Sequence, residues 1–581
     1  MAERIVSPGV FTREVDQSFL PAGLAAIGAA VIGPTAKGPA GIPTVVTSYS
    51  DYLQKFGGTI TSGSGAVQGS YKYLTNYMAQ EYLKYADTLT IVRILAGGYG
   101  PASAAVTCSG VGANAFSLYT LSDGADQNST GAEGSNNTLT NGTVNNLRWE
   151  ITGVNNTKGT FTLLIRRGDD TGKRKIILEQ YNNLTLDPNS NNYIAKVIGD
   201  QVYTLRDSGT TDPFLQLSGS YQNRSNFVRV EVSRTTYNYL DANGNIRDNA
   251  LSASLPAAVS GTFSGGSDGN VVHPIAFYDE ISNTNTQGFN LGQPASGSTS
   301  YTDAIYLLKN QDEYDINLLA LPGLVDNFSN HSAILTTALT AMEDRSDAFL
   351  LIDPVEYGAS IGQATAKAES RDTTYAATYW PWVKIPDVDL GRNVWVPAST
   401  LIPSVYAFND RVAAPWYAPA GLNRGALDIA VQTERKLTQS NRDTLYESAV
   451  NPIATFPNAG VVVYGQKTLQ KKSSALDRVN VRRLLIAAKK FVASATKYLV
   501  FENNTAATRN RFLSIVNPYF ESVQQRQGLY AFKVVMDDTN NTPDVIDRNE
   551  MRGAIYLQPA KTAEFIIIDF NILPTGASFP E

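Results

Sequence analysis

Histidine and cysteine are almost missing from this 581-residue chain, which has two of the first, His273 and His331, and one of the second, Cys108. A lone cysteine closes no intrachain disulfide, and two histidines with it cannot build a Cys/His zinc cage. Cys108 therefore reads as a small core residue. The commonest general base is also scarce. His331 stands beside Ser332 where a helical pattern starts, a place that suits a capping role. His273 precedes Pro274 and has no acidic or nucleophilic neighbour in sequence. No catalytic residue, metal ligand or cofactor is expected.

Charge is thin as well. Charged residues make up 17% of the chain, below the roughly 25% of an ordinary soluble protein, so uncharged side chains must supply much of the polar surface. The 47 basic and 53 acidic residues leave a net charge of -6, which argues against a general phosphate-binding surface and against nucleic acid as a partner. The longest apolar run, Leu20 to Ile32, is interrupted by Pro21, Gly23 and Gly28 and falls short of the roughly 20 residues that span a bilayer. It reads as a buried strand entrance, with no membrane insertion. The opening MAERIVSPGVF lacks the basic-then-apolar order of a signal peptide, so a protein made and kept in the cytoplasm is expected.

Chemical motifs are equally sparse. No GxxxxGK[ST] phosphate loop occurs, which disfavours an intrinsic nucleotide-driven motor. The run Gly63 to Gly69 has one residue too many for a dinucleotide loop and no strand before it, and reads as a flexible turn. Asp241-Ala242-Asn243-Gly244-Asn245 places its glycine too early for a calcium loop, with no closing glutamate, and also reads as a turn. The adjacent pairs Asp279/Glu280 and Asp537/Asp538 flank turns and read as solvated carboxylates.

The length predicts three or four domains. Residues 1–20 mix charge, Pro8 and Gly9 with short apolar pairs, as an extended arm does. Residues 21–95 carry an apolar stretch, a predicted helix from Tyr71 to Tyr85 and a strand from Leu89 to Leu95. From 96 to 269 the texture turns to Asn, Thr, Ser and Gly around short alternating strands such as Leu147–Ile151, Thr160–Arg166 and Phe227–Val232, the pattern of an inserted β-rich domain. Its Asn-rich stretch, 123–146, reads as a loop. In 270–434 strands Ile316–Leu321, Ala348–Ile352 and Tyr375–Val383 alternate with a helix Ser332–Asp344, which predicts a partly parallel sheet covered by helices. Residues 435–581 read as α+β, with two long helices and then strands Leu529–Met536, Gly553–Gln558 and Glu564–Ile572. The fold class is α/β and α+β multidomain.

The clearest periodicity lies between Val481 and Leu499, where Val481, Leu484, Leu485, Ala488, Phe491, Val492, Ala495, Tyr498 and Leu499 make one apolar stripe. Arg482, Arg483, Lys489, Lys490 and Lys497 fall opposite, with no acidic residue between. The second helix, about Thr505 to Gln527, contains Pro518, which should kink it, and is followed by Gly528, which suits its C-terminal cap.

Several short motifs then occur in a telling order. The chain opens with Ser7-Pro8-Gly9-Val10-Phe11 and Glu14-Val15-Asp16, continues with Gly33-Pro34 and Lys37-Gly38-Pro39, and closes its insertion with Ser264-Gly265-Gly266-Ser267-Asp268-Gly269. Downstream come Ala418-Pro419-Ala420-Gly421-Leu422-Asn423-Arg424-Gly425, Asn451-Pro452-Ile453, and Gly460 to Leu469. They are followed by Asn480-Val481-Arg482-Arg483-Leu484, Val500-Phe501-Glu502-Asn503-Asn504 and Ala563-Glu564-Phe565-Ile566. Taken together this series resembles the contractile bacteriophage tail sheath proteins over about residues 5–95 and 265–575. The departure is Tyr464, where many relatives carry Trp.

The resemblance implies a sheath core with a C-terminal α+β domain, a variable β-rich insertion and extended terminal arms. It implies a non-enzymatic subunit of the virion tail, assembled in the host bacterial cytoplasm, that polymerises with itself as stacked hexameric rings around the tail tube protein, meets baseplate and tail terminator proteins, and contracts to drive the tube through the host envelope for genome delivery. It also implies that Ser7, Pro8, Gly9, Val10 and Phe11 belong to an arm that adds to a neighbour's sheet through main-chain hydrogen bonds. The last strand, with Phe565, Ile566, Ile568, Phe570 and Ile572, has one apolar face suited to a sheet. The basic side of Val481–Leu499 is a candidate surface toward the tube. Two other readings stay open: the sheath of a phage-like particle such as an R-type bacteriocin, and a β-rich glycan-binding adhesin.

Overall fold

The computed structural model describes residues 28–62, 69–271, 281–291 and 297–564. Its centre is an eight-stranded sheet. In chain order the strands are β1 (Gly28–Gly33), β2 (Thr44–Val46), β3 (Leu89–Arg93), β4 (Ile316–Val325), β5 (Phe349–Asp353), β6 (Ala376–Trp380), β7 (Val450–Phe456) and β8 (Gly460–Val463). They lie in the order β2–β3–β1–β4–β5–β6–β7–β8. The inner pairs are parallel, and β2 and β8 close the two edges antiparallel.

A parallel sheet covered on both faces needs strands that are apolar at every position, and these are. Ala29, Val31, Leu318, Ala320, Phe349 and Leu351 point into one core, while Ala30, Ile32, Leu319, Leu321, Leu350 and Ile352 point into another. Helices α1 (Leu74–Tyr82) and α3 (Ala398–Val412) cover the first face through Leu74, Tyr77, Leu401 and Val405; α2 (Ser329–Arg345) covers the second through Ile334, Ala338 and Met342.

Residues 99–268 form a separate body. One four-stranded sheet runs Val228–Val232, Asn114–Asp123, Tyr99–Thr107, Ser267–Asp268; the other runs Ile177–Leu184, Thr160–Arg167, Leu147–Asn155, Ser260–Thr262. All pairings are antiparallel. Their apolar faces share one core, with Phe116 stacked on Phe161 at 5.8 Å between centroids. The body leaves and rejoins the central sheet at a single point, where Ala96 and Gly269 are bridge partners. A Cβ on Gly269 would lie 1.9 Å from the Ala96 carbonyl oxygen, so only glycine permits that approach.

The C-terminal part consists of α4 (Val479–Thr496), α5 (Ala506–Gln525) and an antiparallel pair, β9 (Leu529–Val535) and β10 (Ala554–Pro559). Leu484, Ala488, Phe512, Val516, Phe520, Val523 and Leu529 form its core. Phe491 stacks on Tyr519 at 3.9 Å.

Several elements differ from the sequence reading. The helix expected over Tyr71–Tyr85 is shorter, because Gly69–Tyr71 is a strand. The strand expected over Tyr375–Val383 is split into β6 and Val383–Asp387 around Pro381, which has no N–H to give a ladder. The α+β unit read from Arg435 onward gives β7 and β8 to the central sheet. His331 does not cap its helix. It lies within the first turn of α2, fully buried, and its Nδ1 accepts the Val325 N–H at 3.0 Å; Asn283 supplies the cap to Ser329 and Asn330. The Asn-rich loop is not simply solvated, since Asn145 and Asn146 are buried and Asn145 donates to the Thr59 carbonyl.

Candidate interaction site at the sheet edge and C-terminal exit

The motifs scattered along the last third of the chain meet at the β7–β8 edge. Asn451, on β7, is fully buried and fully used: its Nδ2 donates to the carbonyls of Thr378 and Lys467, and its Oδ1 accepts the Lys467 N–H. It therefore fastens the loop after β8 across the sheet. The Ala418–Gly425 segment covers the outer side of β8, with Gly421 N donating to Val463 O, Val463 N to Gly425 O and Leu427 N to Val461 O. This backbone pairing satisfies an edge that would otherwise be an aggregation template. Gly425 is required there because a Cβ would lie 2.7 Å from Val463 O.

Above this edge sits Glu564, the last described residue. Its carboxylate receives Arg478 through two bonds, Nε at 2.7 Å and Nη2 at 3.0 Å, the Tyr446 hydroxyl at 2.9 Å and Gln466 Nε2 at 3.2 Å. Gln466 also donates to Thr562 at 2.7 Å. Lys467 lies 4.5 Å over the Tyr446 ring and donates to the Tyr446 carbonyl. A bidentate Arg–carboxylate pair with two further donors fixes position as well as charge, so the chain is clasped to the core immediately before Phe565. Glu564, Gln466 and Lys467 lie within the sequence motifs. Arg478 and Tyr446 do not, and being 86 and 118 residues from Glu564 they carry no local sequence signal.

A second meeting point stands where the insertion joins the core. Arg93, at the end of β3, is buried and donates to the carbonyls of Gly38 at 2.7 Å and Asp123 at 2.8 Å, with Asp268 3.8 Å away. Asp123 accepts the Ala40 N–H, and Asp268 accepts that of Ala125. The Lys37-Gly38-Pro39 and Ser264–Gly269 motifs are thus the two sides of one joint. Ser208 and Gly209 tie the insertion to the core a second time through Asp303.

The apolar stripe faces the core except at Tyr498, which lies past the end of α4 and is exposed, but its other side is not a free basic face. Arg482 donates to Thr374 and lies 4.1 Å over the Tyr375 ring. Arg483 pairs with Asp410 and lies 4.5 Å over Tyr406. Lys490 pairs with Asp315 and Asp347 and donates to the Ile316 carbonyl at 2.7 Å. All three are buried. Lys489 and Lys497 are exposed; Lys497 pairs with Asp312 at 3.4 Å. Guanidinium stacking and acidic partners on distant segments turn what looks like a solvated stripe into a docking face.

Of the other singled-out residues, Ser7, Pro8, Gly9, Val10, Phe11, Phe565, Ile566, Ile568, Phe570, Ile572, His273, Asp279 and Glu280 lie outside the described residues, as do 63–68. The Asp241 segment is a turn in which Asp241 Oδ1 accepts the N–H groups of Asn243 and Asn245. Asp538 pairs with Arg509 at 2.8 Å. Among the described residues no helix is long and apolar enough to cross a membrane, and no group of three His, Cys, Asp or Glu side chains is placed to hold a metal.

Comparison with known proteins agrees with this arrangement. Residues 295–469 match the phage tail sheath protein central domain, and residues 471–572 the phage tail sheath C-terminal domain. The tail sheath protein of Vibrio phage KVP40 is 40% identical over 230 residues, covering 40% of this chain and 34% of that protein. The tail sheath protein of Enterobacteria phage T4 is 37% identical over 231 residues, covering 39% of this chain and 34% of that protein. The chain thus spans about a third of the length of these two curated relatives. In fold alone, a crystal structure of a sheath tail protein from Listeria innocua is similar, with a TM-score of 0.52 at 12% identity over 92% of this chain and 96% of that one. With the two domains in order and the motifs of both gathered at one clasp, residues 295–572 are the central and C-terminal domains of a phage tail sheath protein.

Proposed function

We propose that the chain is a structural sheath subunit of a phage tail, polymerising as stacked hexameric rings around the tail tube and contracting to drive the tube through the host envelope for genome delivery. The observation that carries this reading is the matched pair of sheath domains over residues 295–572. The C-terminal pair β9–β10 supports it, since no third strand lies on either outer edge among the described residues. Residues 7–11 of one copy and the Phe565–Ile572 strand of another would complete that sheet through main-chain bonds. Head-to-tail contacts close into rings where the rotation between copies allows and otherwise run on as a helical polymer, so the two together stack rings helically. Contraction without nucleotide follows if the extended lattice is kinetically trapped and the contracted one buries more surface. The partners are other copies, the tube protein, and the baseplate and terminator proteins at the ends. Lys489 on α4 and Lys497 in the turn after it, both exposed, are the members of the basic set available to the tube.

Electron microscopy of the purified chain, alone and with its tube protein, tests the reading. Hollow striated cylinders that vanish on deletion of residues 1–20 are expected; monodisperse particles under every condition would overturn it.

A further inference from the structure

Lys37, Asp126 and Asn145 come from three places in the sequence and meet where the insertion rests on the core. Lys37 lies in the loop that follows β1, Asp126 in the short 3-10 turn Ala125–Gln127, and Asn145 just before the strand Leu147–Asn155. Two hydrogen bonds to one short segment bring the first and the last together. Lys37 N donates to the Phe56 carbonyl at 3.0 Å, and Asn145 Nδ2 donates to the Thr59 carbonyl at 3.3 Å. Between these anchors stands Gly57, which ends the helix Tyr49–Phe56 with φ 74°. A Cβ on Gly57 would lie 3.2 Å from Lys37 Cγ and 3.2 Å from Asn145 Oδ1. One point therefore touches both side chains, glycine leaves it open, and three further bonds carry the lysine from Cγ to Nζ.

Each member has the surroundings that amide exchange requires. Lys37 is 7% exposed and Asn145 6%. Burial pushes the Lys37 pKa down to about 8, with Asp126 acting the other way, so a usable share of neutral amine exists near neutral pH. Asp126 Oδ2 is buried with no hydrogen-bond partner among the described residues. Burial raises the Asp126 pKa, against the Lys37 charge and a hydrogen bond with the Asn145 side chain. Asp126 thus acts on both of the others and is suited to carry a proton between them. Lys37 and Asn145 also line one cavity of about 230 Å³, which gives a small leaving group a way out.

We infer that Lys37 and Asn145 join in an intramolecular isopeptide bond, with Asp126 as the acid. Lys37 Nζ attacks Asn145 Cγ, and the carbonyl electron pair moves to Oδ1, which takes the Asp126 proton. Asp126 then accepts a proton from Nζ and delivers it to Nδ2. The Cγ–Nδ2 bond breaks, ammonia leaves, and Oδ1 returns its proton to Asp126 as the carbonyl re-forms. Amine and carboxamide give a secondary amide and ammonia, with no oxidant and no outside reagent. Holding the two groups together in the fold replaces a bimolecular encounter. The product would fasten the insertion to the core covalently, beside the Ala96–Gly269 joint. This bond is independent of the sheath reading.

Denaturing mass spectrometry of the purified full chain, with peptide mapping, tests it. The chain should be lighter than its sequence by one ammonia, and one branched peptide should join Lys37 to Asn145. Lys37→Met and Asn145→Ala should lack that peptide. Asp126→Asn keeps both reacting groups and should form it about a hundredfold more slowly. A succinimide at an asparagine also loses ammonia but joins no second peptide, so the branched peptide is the deciding readout, and the parent chain supplies it even where a variant fails to fold. A parent chain of full mass after prolonged incubation, ammonia loss without the branched peptide, or an unaltered rate in Asp126→Asn would each overturn the inference.

Discussion

His331 and Asp353 are buried titratable residues at neighbouring strand ends, since Val325, which His331 holds, is paired with Asp353. Burial pushes the His331 pKa down to about 4 and the Asp353 pKa up to about 7, the latter against two bonds from Ser399. Their effects on stability have opposite sign. Between about pH 4 and 6.5 the unfolded chain binds more protons at His331, so this residue makes stability rise with pH; over about pH 4 to 7 it binds fewer at Asp353, so that residue makes stability fall. Each contributes on the order of 3 kcal/mol across its window. Relative to the parent chain, His331→Asn, which keeps an acceptor for Val325, should gain stability as pH falls from about 6.5 to 4 in denaturant titrations. Asp353→Asn should gain on the parent as pH rises from about 4 to 7. At the end of α5 the residue in the left-handed region is Gln527, φ 61°, and Gly528 follows it, with Gly528 N bonded to Val523 O and Gln527 N to Gln524 O. This is a Schellman ending with the expected glycine one place late. Gly528 is needed for a different reason: a Cβ would lie 2.6 Å from Val523 Cγ1 and 2.9 Å from Trp416. Gln527→Gly should therefore raise stability by about 0.5–1 kcal/mol in chemical denaturation, and Gly528→Ala should lower it. Composition placed a cap here; only the packing under Trp416 decides which residue needs to be glycine.

At the scale of elements, α4 shows what periodicity reports and what it does not. The three- and four-residue spacing gave a helix over Val481–Leu499, and Val479–Thr496 followed by a short 3-10 turn to Leu499 is observed. A period describes which residues share a side, whereas the covering of that side depends on Asp410, Asp315, Asp347 and Tyr375, all on distant segments. The same limit applies to the β7–β8 edge. Its motifs were legible as short strings, yet the clasp depends on Arg478 and Tyr446, which belong to none of them. Substitutions on α4 should therefore divide sharply. Arg483→Met leaves the part-exposed Asp410 without its partner and removes the stacking on Tyr406, which should cost about 1–3 kcal/mol, while Lys489→Glu, exposed, should shift stability by no more than about 0.5 kcal/mol. Urea melts of the two variants check the division. Charge reversal at Lys490 would break the fold's own pairs, so Lys489 and Lys497 are the positions at which to test the proposed tube contact.

On the scale of the molecule, alternating strands and helices were enough to expect a partly parallel sheet, because a strand buried on both faces has to be apolar throughout. The order of that sheet was not legible: residues 28–93 and 316–463 build it together across a long excursion, and nothing in either segment names its neighbour. The excursion leaves and returns at Ala96 and Gly269, which are bridge partners. Replacing residues 98–268 by a short Gly/Ser link should therefore leave a folded core, provided Arg93, deprived of the Asp123 carbonyl and Asp268, is changed to Met in the same chain. Circular dichroism and a cooperative thermal transition would check this; an unfolded product would show that the core depends on the Asp303 tie or on burial against the insertion. The position of the joint has a mechanical meaning too. A pull transmitted between copies through the segment after Glu564 passes through the Arg478 clasp into β7 and β8, so those bonds lie in series with the load. The insertion joins the chain at two neighbouring residues and is otherwise held by side bonds such as those to Asp303 and Thr59, so it lies off that path. Its sandwich can stay folded and unstressed while the sheet beneath it carries tension.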